Sequence, residues 1–231
     1  MQLFYQPELV LDHRWLTEDE SKHCVKVLRK REGETITVTD GHGFFYVCTI
    51  TKANPQKCEF DILEKRTIAD RKFHIHLAIA PTKNPDRLEW LVEKATELGV
   101  DEITLLDCDH SERTFIKTER LQKVAISAMK QSQKASLPVL HAKKPFQTIY
   151  SIKADQKLIA YVDHSNPKHL LHAALPGKRY LICIGPEGDF SENELTQSLE
   201  HGFIKVSLGE SRLRTETAGM AACCLLNAIN T

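Results

Sequence analysis

Three short segments of this sequence have an unusual composition, two of them rich in glycine and charged residues, and each segment follows a predicted strand. Residues 81–84 follow the first of these strands, residues 185–190 the second and residues 209–217 the third. Ligands of open parallel sheets bind at the carboxyl ends of the strands, in the loops that follow them. We therefore expect the three segments to form one binding site.

The loop at residues 185–190 has the composition of a turn that a ligand can approach closely. Gly185 and Gly188 bracket it, and glycine permits positive φ angles without a side chain in the way. A helix predicted to begin at Ser191 would point its free N–H groups toward the same region, beside Glu187. An ordinary strand-to-helix turn has the same pattern, so this loop alone leaves both interpretations open.

The loop at residues 209–217 is more specific, because Arg212 and Arg214 directly precede a predicted helix. Two guanidinium groups beside a helix N-terminus are suited to binding phosphate or carboxylate. The small residues from Ala218 onward would allow close packing against a cofactor or a second subunit. An intramolecular ion pair with Glu216 that only steadies the loop is the structural alternative.

Several other classes of site are disfavoured. The sequence has no Gly-x-Gly-x-x-Gly, no P-loop motif and no Gly-x-Ser-x-Gly, which argues against dinucleotide-binding folds, P-loop enzymes and hydrolases. Its seven cysteines form no Cys-x-x-Cys pair, so we expect neither a zinc site nor disulfides, and reduced cysteines indicate a cytoplasmic protein. The eleven histidines show no metal-ligand spacing. We interpret His74 and His76 as packing or surface residues and expect no metal.

The N-terminal part of the chain is predicted to be a small, mostly β unit. Residues 17–20 have the capping-box pattern, which predicts a helix from there to about Arg29. Alternating apolar residues around a glycine-rich turn predict a hairpin of residues 34–39 and 44–51, and residues 60–63 form a further short strand. Residues 65–72 are polar and charged, and we expect them to be a linker.

From residue 73 onward, predicted strands and helices alternate, which indicates an α/β domain with a parallel sheet. The expected strands are residues 74–80, 102–106, 158–162, 180–184 and 203–208. The expected helices are residues 85–98, 118–134, 191–201 and 215–230. Asn84 and Pro85 provide a helix start, and a capping box at residues 191–194 provides another.

Charge is balanced overall but uneven along the chain. There are 31 basic and 31 acidic residues, which argues against a protein that coats nucleic acid indiscriminately. Residues 21–31 nevertheless contain five Lys or Arg and no acid, and residues 110–144 contain eight basic against two acidic residues. Such patches suit a specific polyanion, although solvated helix faces would look similar. Apolar runs long enough to span a bilayer and a signal peptide are both absent, so we expect no membrane partner.

Several of these motifs resemble those of a known family. The segments Ile-Gly-Pro-Glu-Gly-Asp-Phe-Ser at 184–191 and Leu-Gly-x-x-Arg-Leu-Arg-Thr-Glu-Thr-Ala at 208–218 are similar to the cofactor loops of RsmE-type 16S ribosomal-RNA uridine-N3 methyltransferases. These enzymes belong to the SPOUT class. Residues 83–100 match the family's first helix, and the N-terminal unit resembles its PUA-like RNA-binding domain. The similarity therefore covers nearly the whole chain.

The resemblance implies a fold, a cofactor and partners. The fold is a PUA-like β-barrel at residues 1–70 followed at residues 73–231 by a SPOUT α/β domain whose parallel sheet carries a trefoil knot. The partners are a second copy of the chain, as a homodimer, and 16S rRNA within the small ribosomal subunit, near the decoding centre. The cofactor is S-adenosyl-L-methionine, and its implied contacts are Leu77, Ala80, Pro81, Ile184, Gly185, Pro186, Glu187, Gly188, Leu208, Gly209, Ser211, Arg212, Leu213 and Thr217.

The implied reaction asks for two kinds of side chain. Uridine N3 carries a proton, so a guanidinium near O2 or O4 would stabilise the developing anion, and a carboxylate would accept the proton. Arg214 or Arg113 is predicted for the first role, and Glu187 or Glu216 for the second. Basic residues of the two patches would contact RNA phosphates. Those predicted are Lys22, Lys26, Arg29, Lys30, Arg31, Arg120 and Lys123.

The sequence departs from the family pattern at two places, and two alternative functions stay open. Asp189 stands where the family usually has a second glycine, and Ser-Arg-Leu-Arg at 211–214 stands where it often has Arg-Ile-Leu-Arg. The chain could instead be a SPOUT methyltransferase that acts on another RNA, on a tRNA base or a ribose 2′-hydroxyl. It could also be a non-catalytic ribosome-assembly factor that binds RNA.

Overall fold

The computed structural model describes residues 2–69, 71–112, 116–162 and 168–231. The chain divides into two compact units, one of Met1–Asp70 with Ile126–Leu137 and one of Arg71–Ala125 with Pro138–Thr231. The N-terminal unit therefore includes a later segment, Ile126–Leu137, that the predicted domain ranges assign to the C-terminal domain.

The N-terminal unit is built on a four-stranded sheet with the order β1-β2-β3-β4. Its strands are β1 (Leu3–Tyr5), β2 (Thr35–Thr39), β3 (Phe44–Lys52) and β4 (Glu59–Thr67). The antiparallel pairing of β2 with β3 confirms the predicted hairpin. β4 continues through Thr67, so the prediction that the linker begins at residue 65 is wrong for its first residues. The short β1, which pairs in parallel with β2, was not predicted.

The first helix begins where its sequence predicts, but without the predicted capping box. α1 (Glu18–Lys22) continues as a π-helical turn, His23–Val27, and ends two residues before the predicted Arg29. Thr17 occupies the N-cap position, but its side chain makes no capping hydrogen bond. The expected partner Glu20 is buried and pairs with Lys130 instead. A tertiary ion pair thus takes the carboxylate that the local motif would have used.

The C-terminal unit contains a six-stranded, fully parallel sheet with the order β10-β8-β9-β5-β6-β7. Its strands are β5 (His74–Ile79), β6 (Glu102–Asp107), β7 (Val139–Pro145), β8 (Gln156–Ala160), β9 (Arg179–Ile184) and β10 (Ile204–Val206). The helices are α2 (Pro85–Glu97), α3 (Thr118–Gln131), α4 (Leu170–Ala173), α5 (Glu192–Glu200) and α6 (Thr215–Ile229). The residues of α3 from Ile126 onward belong to the N-terminal unit. This arrangement confirms the predicted α/β class.

Burial explains which strands the sequence revealed. The central strands β5 and β9 are buried along almost their whole length and read as apolar runs. The edge strand β7 is exposed or half-buried along its whole length and has no apolar run like those of β5 and β9, so it was missed. The four-residue α4 was missed as well. In the part of the chain that the structure covers, no helix combines the length and apolar character that crossing a membrane requires.

The sheet order places the loops of interest next to one another. β10, β8 and β9 are consecutive neighbours and run in parallel, so their carboxyl ends lie at the same edge. β5 is the next strand beyond β9. The loops that follow these four strands therefore share one edge of the C-terminal unit.

Candidate functional site

An open cavity of about 1140 Å³ lies at the carboxyl ends of β8, β9 and β10. The loop after β8 contributes residues 160–162, the loop after β9 contributes 184–187 and 189, and the loop after β10 contributes 207–215. His169 and Ala218 complete the lining. This volume is slightly above the range of about 300–1,000 Å³ for small-molecule sites, and the mixture of apolar and polar groups is typical of them.

The loop after β9 is held tightly in its conformation. A Cβ atom on Gly185 would come within 3.2 Å of the backbone nitrogen of Phe190, so a side chain here would require the loop to shift by a few tenths of an ångström. Asp189 has a positive φ of 62°. Its carboxylate accepts hydrogen bonds from the backbone N–H groups of Phe190 (2.8 Å) and Val162 (3.3 Å), which joins this loop to the loop after β8.

The helix that follows this loop begins with a complete capping box. The Ser191 hydroxyl accepts from the backbone N–H of Glu194, whose carboxylate accepts from the backbone N–H of Ser191. The same carboxylate accepts from the backbone N–H of Asp109 at 2.9 Å, and the Ser191 hydroxyl donates to the Asp109 carboxylate. The predicted capping box is thus confirmed, and it also fixes the loop after β6.

Further hydrogen bonds join the remaining loops around the cavity. The carboxylate of Glu187 accepts from the backbone N–H of Lys83 at 3.2 Å, in the loop after β5. The guanidinium of Arg212 donates to the backbone carbonyl of Glu187 at 3.4 Å. Loops that follow β5, β9 and β10 are therefore connected through one residue, Glu187.

The loop after β10 leads into α6 with Arg214 at the N-cap position. Its side chain makes no capping hydrogen bond and is exposed on the cavity lining. Among the residues that the structure describes, the backbone N–H groups of Leu208 and Leu213 donate no hydrogen bond. The cavity thus has a cationic side chain and unused backbone donors along one wall.

Burial also changes the pKa of one carboxyl group on the cavity wall. Desolvation raises the pKa of Asp189 above its usual range, although the N–H groups of Phe190 and Val162 and the charge of Arg212 act in the opposite direction. Glu187 and Arg212 are exposed. The wall therefore carries both signs of charge and a carboxyl group that ionises less readily than an ordinary aspartate.

The cavity gathers nine of the fourteen predicted cofactor contacts. These nine are Ile184, Gly185, Pro186, Glu187, Leu208, Gly209, Ser211, Arg212 and Leu213. The other five, Leu77, Ala80, Pro81, Gly188 and Thr217, are outside its lining. Leu77 and Ala80 are fully buried in and directly after β5, and a Cβ on Gly188 would come within 3.2 Å of His110. Packing within the chain therefore explains the residue types at these three positions.

The predicted catalytic residues are distributed unequally. Arg214 and Glu187 line the cavity. Glu216 is buried, and its carboxylate lies 3.7 Å from the Nε of Arg87 on α2, so the ion pair considered for the loop joins two helices instead. Arg113 lies outside the described residues.

Gly219 of α6 packs against other elements of the same chain. A Cβ on Gly219 would approach Ile79 Cδ1 to 2.8 Å and Leu91 Cδ1 to 3.1 Å. Glycine here lets α6 lie directly against β5 and α2. Packing within the chain thus explains the glycine at 219, whereas Ala218 lines the cavity.

The predicted RNA-binding residues fall into two groups. Lys22, Lys30 and Arg120 form ion pairs with Glu18, Glu34 and Glu89, respectively. The second group consists of exposed residues for which no ion pair is found within the described ranges. These are Lys26, Arg29, Arg31 and Lys123.

Sequence reasoning missed the wall of the cavity that follows β8. Tyr161, Val162 and His169 line the cavity but were not predicted. The strand at residues 158–162 was expected, so the rule that ligands bind at carboxyl ends of parallel strands could have been applied to it. No conspicuous glycine or charge motif drew attention to this loop.

Comparison with known proteins identifies the family. The family model of an RNA methyltransferase domain matches residues 69–227, and that of an RNA methyltransferase PUA domain matches residues 16–63. The ribosomal RNA small subunit methyltransferase E of Aquifex aeolicus is 30% identical over 233 residues, covering 98% of this chain and 99% of that protein. The chain belongs to the ribosomal RNA small subunit methyltransferase E family.

Solved structures of similar proteins extend this family assignment to the fold. A probable rRNA methyltransferase from Porphyromonas gingivalis is 43% identical with a TM-score of 0.93, covering 100% of this chain and 98% of that one. The ribosomal RNA small subunit methyltransferase E of Neisseria gonorrhoeae, bound to S-adenosyl methionine, is 28% identical with a TM-score of 0.83 and the same coverage. The predicted methyltransferase E family and the SPOUT fold behind a PUA-like domain are confirmed.

Proposed function

We propose that this enzyme methylates N3 of a uridine in 16S rRNA within the small ribosomal subunit, using S-adenosylmethionine. The observation that carries the proposal is the cavity at the carboxyl ends of β8, β9 and β10, which both signature loops of the methyltransferase E family line. The names of the relatives support small-subunit rRNA as the substrate, and the bound cofactor of the Neisseria gonorrhoeae enzyme supports S-adenosylmethionine.

The residues of the cavity fit this cofactor. Gly185 lies on the cavity lining, and Leu208 and Leu213 offer N–H groups that no acceptor in the described part of the chain uses. Ile184, Leu213 and Ala218 supply an apolar surface for the uncharged part of the molecule. When bound, S-adenosylmethionine supplies a methyl group on a positively charged sulfur. The protein must hold the acceptor atom in line with that group.

Removal of the N3 proton requires an acceptor, and Glu187 is the carboxylate best suited to it. Glu187 is exposed on the cavity wall, and the backbone N–H of Lys83 orients its carboxylate. Glu216, the other candidate, is buried and lies beside Arg87, so it is poorly placed to receive a proton from a substrate. In this proposal the proton passes from uridine N3 to the Glu187 carboxylate.

Arg214 is proposed to stabilise the anion that forms on the uracil ring. Its guanidinium lies on the cavity wall at the N-terminus of α6, where the helix dipole adds positive potential. We expect Arg214→Ala to lower kcat by about 10²–10³-fold, as the loss of one stabilising donor does in other enzymes. The affinity for S-adenosylmethionine should change little, because this cofactor is proposed to use mainly backbone groups.

Kinetics on purified small subunits and calorimetry with S-adenosylmethionine measure these two effects separately. Arg179→Ala is the matched control, because Arg179 is an exposed arginine at the opposite end of β9. Full activity in Arg214→Ala with unchanged cofactor affinity would show that this arginine has no such role.

The substrate atom is tested by mass spectrometry of 16S rRNA from cells that lack the protein. Loss of a single 3-methyluridine, restored by the wild-type gene, is the expected result. Loss of a modified tRNA base or a ribose methyl group would indicate a methyltransferase with another target. Unchanged RNA modification together with no calorimetric binding of S-adenosylmethionine would indicate a non-catalytic assembly factor.

We also propose a homodimer and RNA contacts through the basic residues. The dimer is implied by the similarity to the family, and the exposed side chain of Trp90 on α2 supports an apolar contact surface. Sedimentation of a single monomeric species at micromolar concentration would contradict it. Lys26, Arg29, Arg31 and Lys123 are the proposed phosphate contacts, since they are exposed and have no ion pair in the described ranges.

A further inference from the structure

Three potential metal ligands lie together near the amino ends of β5, β6 and β7, away from the methyltransferase cavity. His76, Glu102 and His141 each come from a different strand, and their ligand atoms all lie within 4.8 Å of one another. His76 is buried, whereas Glu102 and His141 are half-buried and accessible from solvent. Three neighbouring strands thus direct one ligand each toward a common point.

The distances around Glu102 Oε2 distinguish this cluster from a simple hydrogen-bonded group. His141 Nε2 lies 2.8 Å from this oxygen, which is a hydrogen-bond distance. His76 Nδ1 lies 3.7 Å from it, which is too long for a hydrogen bond. A direct hydrogen bond therefore does not explain why this buried nitrogen lies near the carboxylate.

Two further side chains orient the ligands from behind. The second nitrogen of His76, Nε2, lies 2.7 Å from the Thr104 hydroxyl, and donation to that oxygen leaves Nδ1 with its lone pair directed at the cluster. His74 Nε2 lies 3.1 Å from the other oxygen of Glu102. Outer hydrogen bonds of this kind fix the tautomer and orientation of histidine and carboxylate ligands in metal sites.

We propose that His76 Nδ1, His141 Nε2 and Glu102 Oε2 bind a Zn²⁺ ion, with Thr104 and His74 as supporting residues. Two histidines and one glutamate are an established ligand set for zinc, with water in the fourth position. The proposal is independent of the methyltransferase reaction. It replaces our expectation, from sequence spacing, that the chain has no metal site.

The spacing of the ligand atoms fits this ion. Zinc–ligand bonds of about 2.0–2.2 Å in a tetrahedral site place neighbouring ligand atoms about 3.3–3.5 Å apart. The distances from Glu102 Oε2 to the two histidine nitrogens, 2.8 and 3.7 Å, lie on either side of that value. The three ligand atoms all lie within 4.8 Å of one another, so small rotations of the half-buried Glu102 and His141 side chains would close the site around an ion.

A metal ion here would join the edge strand β7 to the sheet. β7 lies at the edge of the sheet beside β6, and its pairing contains an irregularity between Thr104 and Leu106. An ion bound by residues of β5, β6 and β7 would connect all three strands. Because the ion would bind the folded but not the unfolded chain, it should stabilise the protein.

Zinc binding is measured by calorimetry on the full-length, metal-depleted protein, with ZnCl₂ as the probe. We expect one site per chain and a rise in melting temperature on addition of Zn²⁺. His141→Ala and Glu102→Gln should each weaken binding by at least about tenfold. His172→Ala is the matched control, because this exposed histidine lies outside the cluster and should leave binding unchanged.

Cobalt(II) provides a second measurement, since its visible spectrum distinguishes nitrogen and oxygen ligands from thiolates. A spectrum free of thiolate charge transfer, abolished in His141→Ala, is expected. Binding that is equal in wild type and His141→Ala, or a thiolate band indicating one of the seven cysteines, would overturn the proposal. Methylation of small subunits by the zinc-free enzyme is measured separately, so failure of the metal site and of the proposed function can be told apart.

Discussion

At the scale of single residues, Asp189 shows how this chain departs from its family without losing the loop. The position has a left-handed backbone, with φ of 62°, a region in which glycine is favoured and aspartate is tolerated. The carboxylate adds hydrogen bonds from Phe190 and Val162 that glycine cannot supply. With aspartate instead of glycine, the position loses conformational freedom of the backbone and gains side-chain hydrogen bonds. The loop still lines the cavity.

The raised pKa of Asp189 predicts a pH effect on stability. The folded state holds this proton to higher pH than the unfolded chain, so stability falls as pH rises from the ordinary pKa of 3.8 through the raised value. Asp189→Asn cannot titrate. Its free energy of unfolding, relative to wild type, should therefore increase with pH across this window and level off above it.

Urea denaturation at a series of pH values, from about 4 to about 7, measures this difference. Phe190 and Val162 donate to different oxygens of Asp189, so Asp189→Asn removes one of these two acceptors. That loss shifts the stability of the variant by the same amount at every pH, and the test is therefore the change of the difference with pH. Parallel stability curves for the two proteins would mean that Asp189 ionises in the folded state as it does in the unfolded chain.

At the scale of elements, two similar motifs have different outcomes. Ser191 and Glu194 form a complete capping box at α5, whereas Thr17 and Glu20 do not form one at α1. The difference lies in what surrounds the glutamates. Glu194 stays beside its own helix and bonds Asp109 as well, while Glu20 is drawn to Lys130. A local motif thus predicts a helix start more securely than it predicts the hydrogen bonds there.

These two motifs predict unequal effects of removing the hydroxyl. Ser191→Ala should lower the free energy of unfolding by about 0.5–2 kcal/mol, because a capping hydrogen bond is lost. Thr17→Ala should change it by less than about 0.5 kcal/mol, since no capping hydrogen bond is present there. Urea denaturation of both variants measures the contrast. Equal losses would mean that Thr17 does cap α1 in solution.

At the scale of the whole molecule, charge distribution matters more than total charge. The chain is neutral, with 31 basic and 31 acidic residues, so it has no general attraction for polyanions. Within the N-terminal unit, Lys22 and Lys30 are engaged by glutamates, whereas Lys26 and Arg29 are exposed without an ion pair in the described ranges. The second pair is therefore the better candidate for phosphate contacts.

Charge reversal at Lys26 and Arg29 should weaken RNA binding more at low salt than at high salt. Each phosphate contact that is lost should reduce the slope of log affinity against log salt concentration by about one. Binding to a 16S rRNA fragment at several salt concentrations measures it. Lys22→Glu is the matched control and should have a smaller effect, because Glu18 already engages Lys22.

A loss of affinity that is the same at all salt concentrations would indicate misfolding of the double variant. Circular dichroism of the same samples identifies that outcome. A full loss with Lys22→Glu and none with the double variant would place the RNA surface elsewhere.

Local patterns were sufficient for much of the fold and for most of the candidate site. The hairpin β2–β3 and the α2 start at Asn84 were predictable because the interactions that form them lie within a few residues of one another. The glycine and arginine loops after β9 and β10 were predictable because strand ends and helix starts can be recognised locally. The similarity of these loops to one family then indicated the cofactor and the reaction.

Tertiary structure decided what depends on residues far apart in sequence. The order of the strands brings the loop after β8 into the cavity, and the same order assembles His76, Glu102 and His141 from positions spread over 66 residues. The partner of Glu216 is Arg87, more than a hundred residues earlier. The sequence by itself determined the elements and the family, because short-range periodicity and motifs encode them. Which side chains meet was settled only by the pairing of distant strands and helices, since neither a contact nor a metal-ligand distance is a local property of the chain.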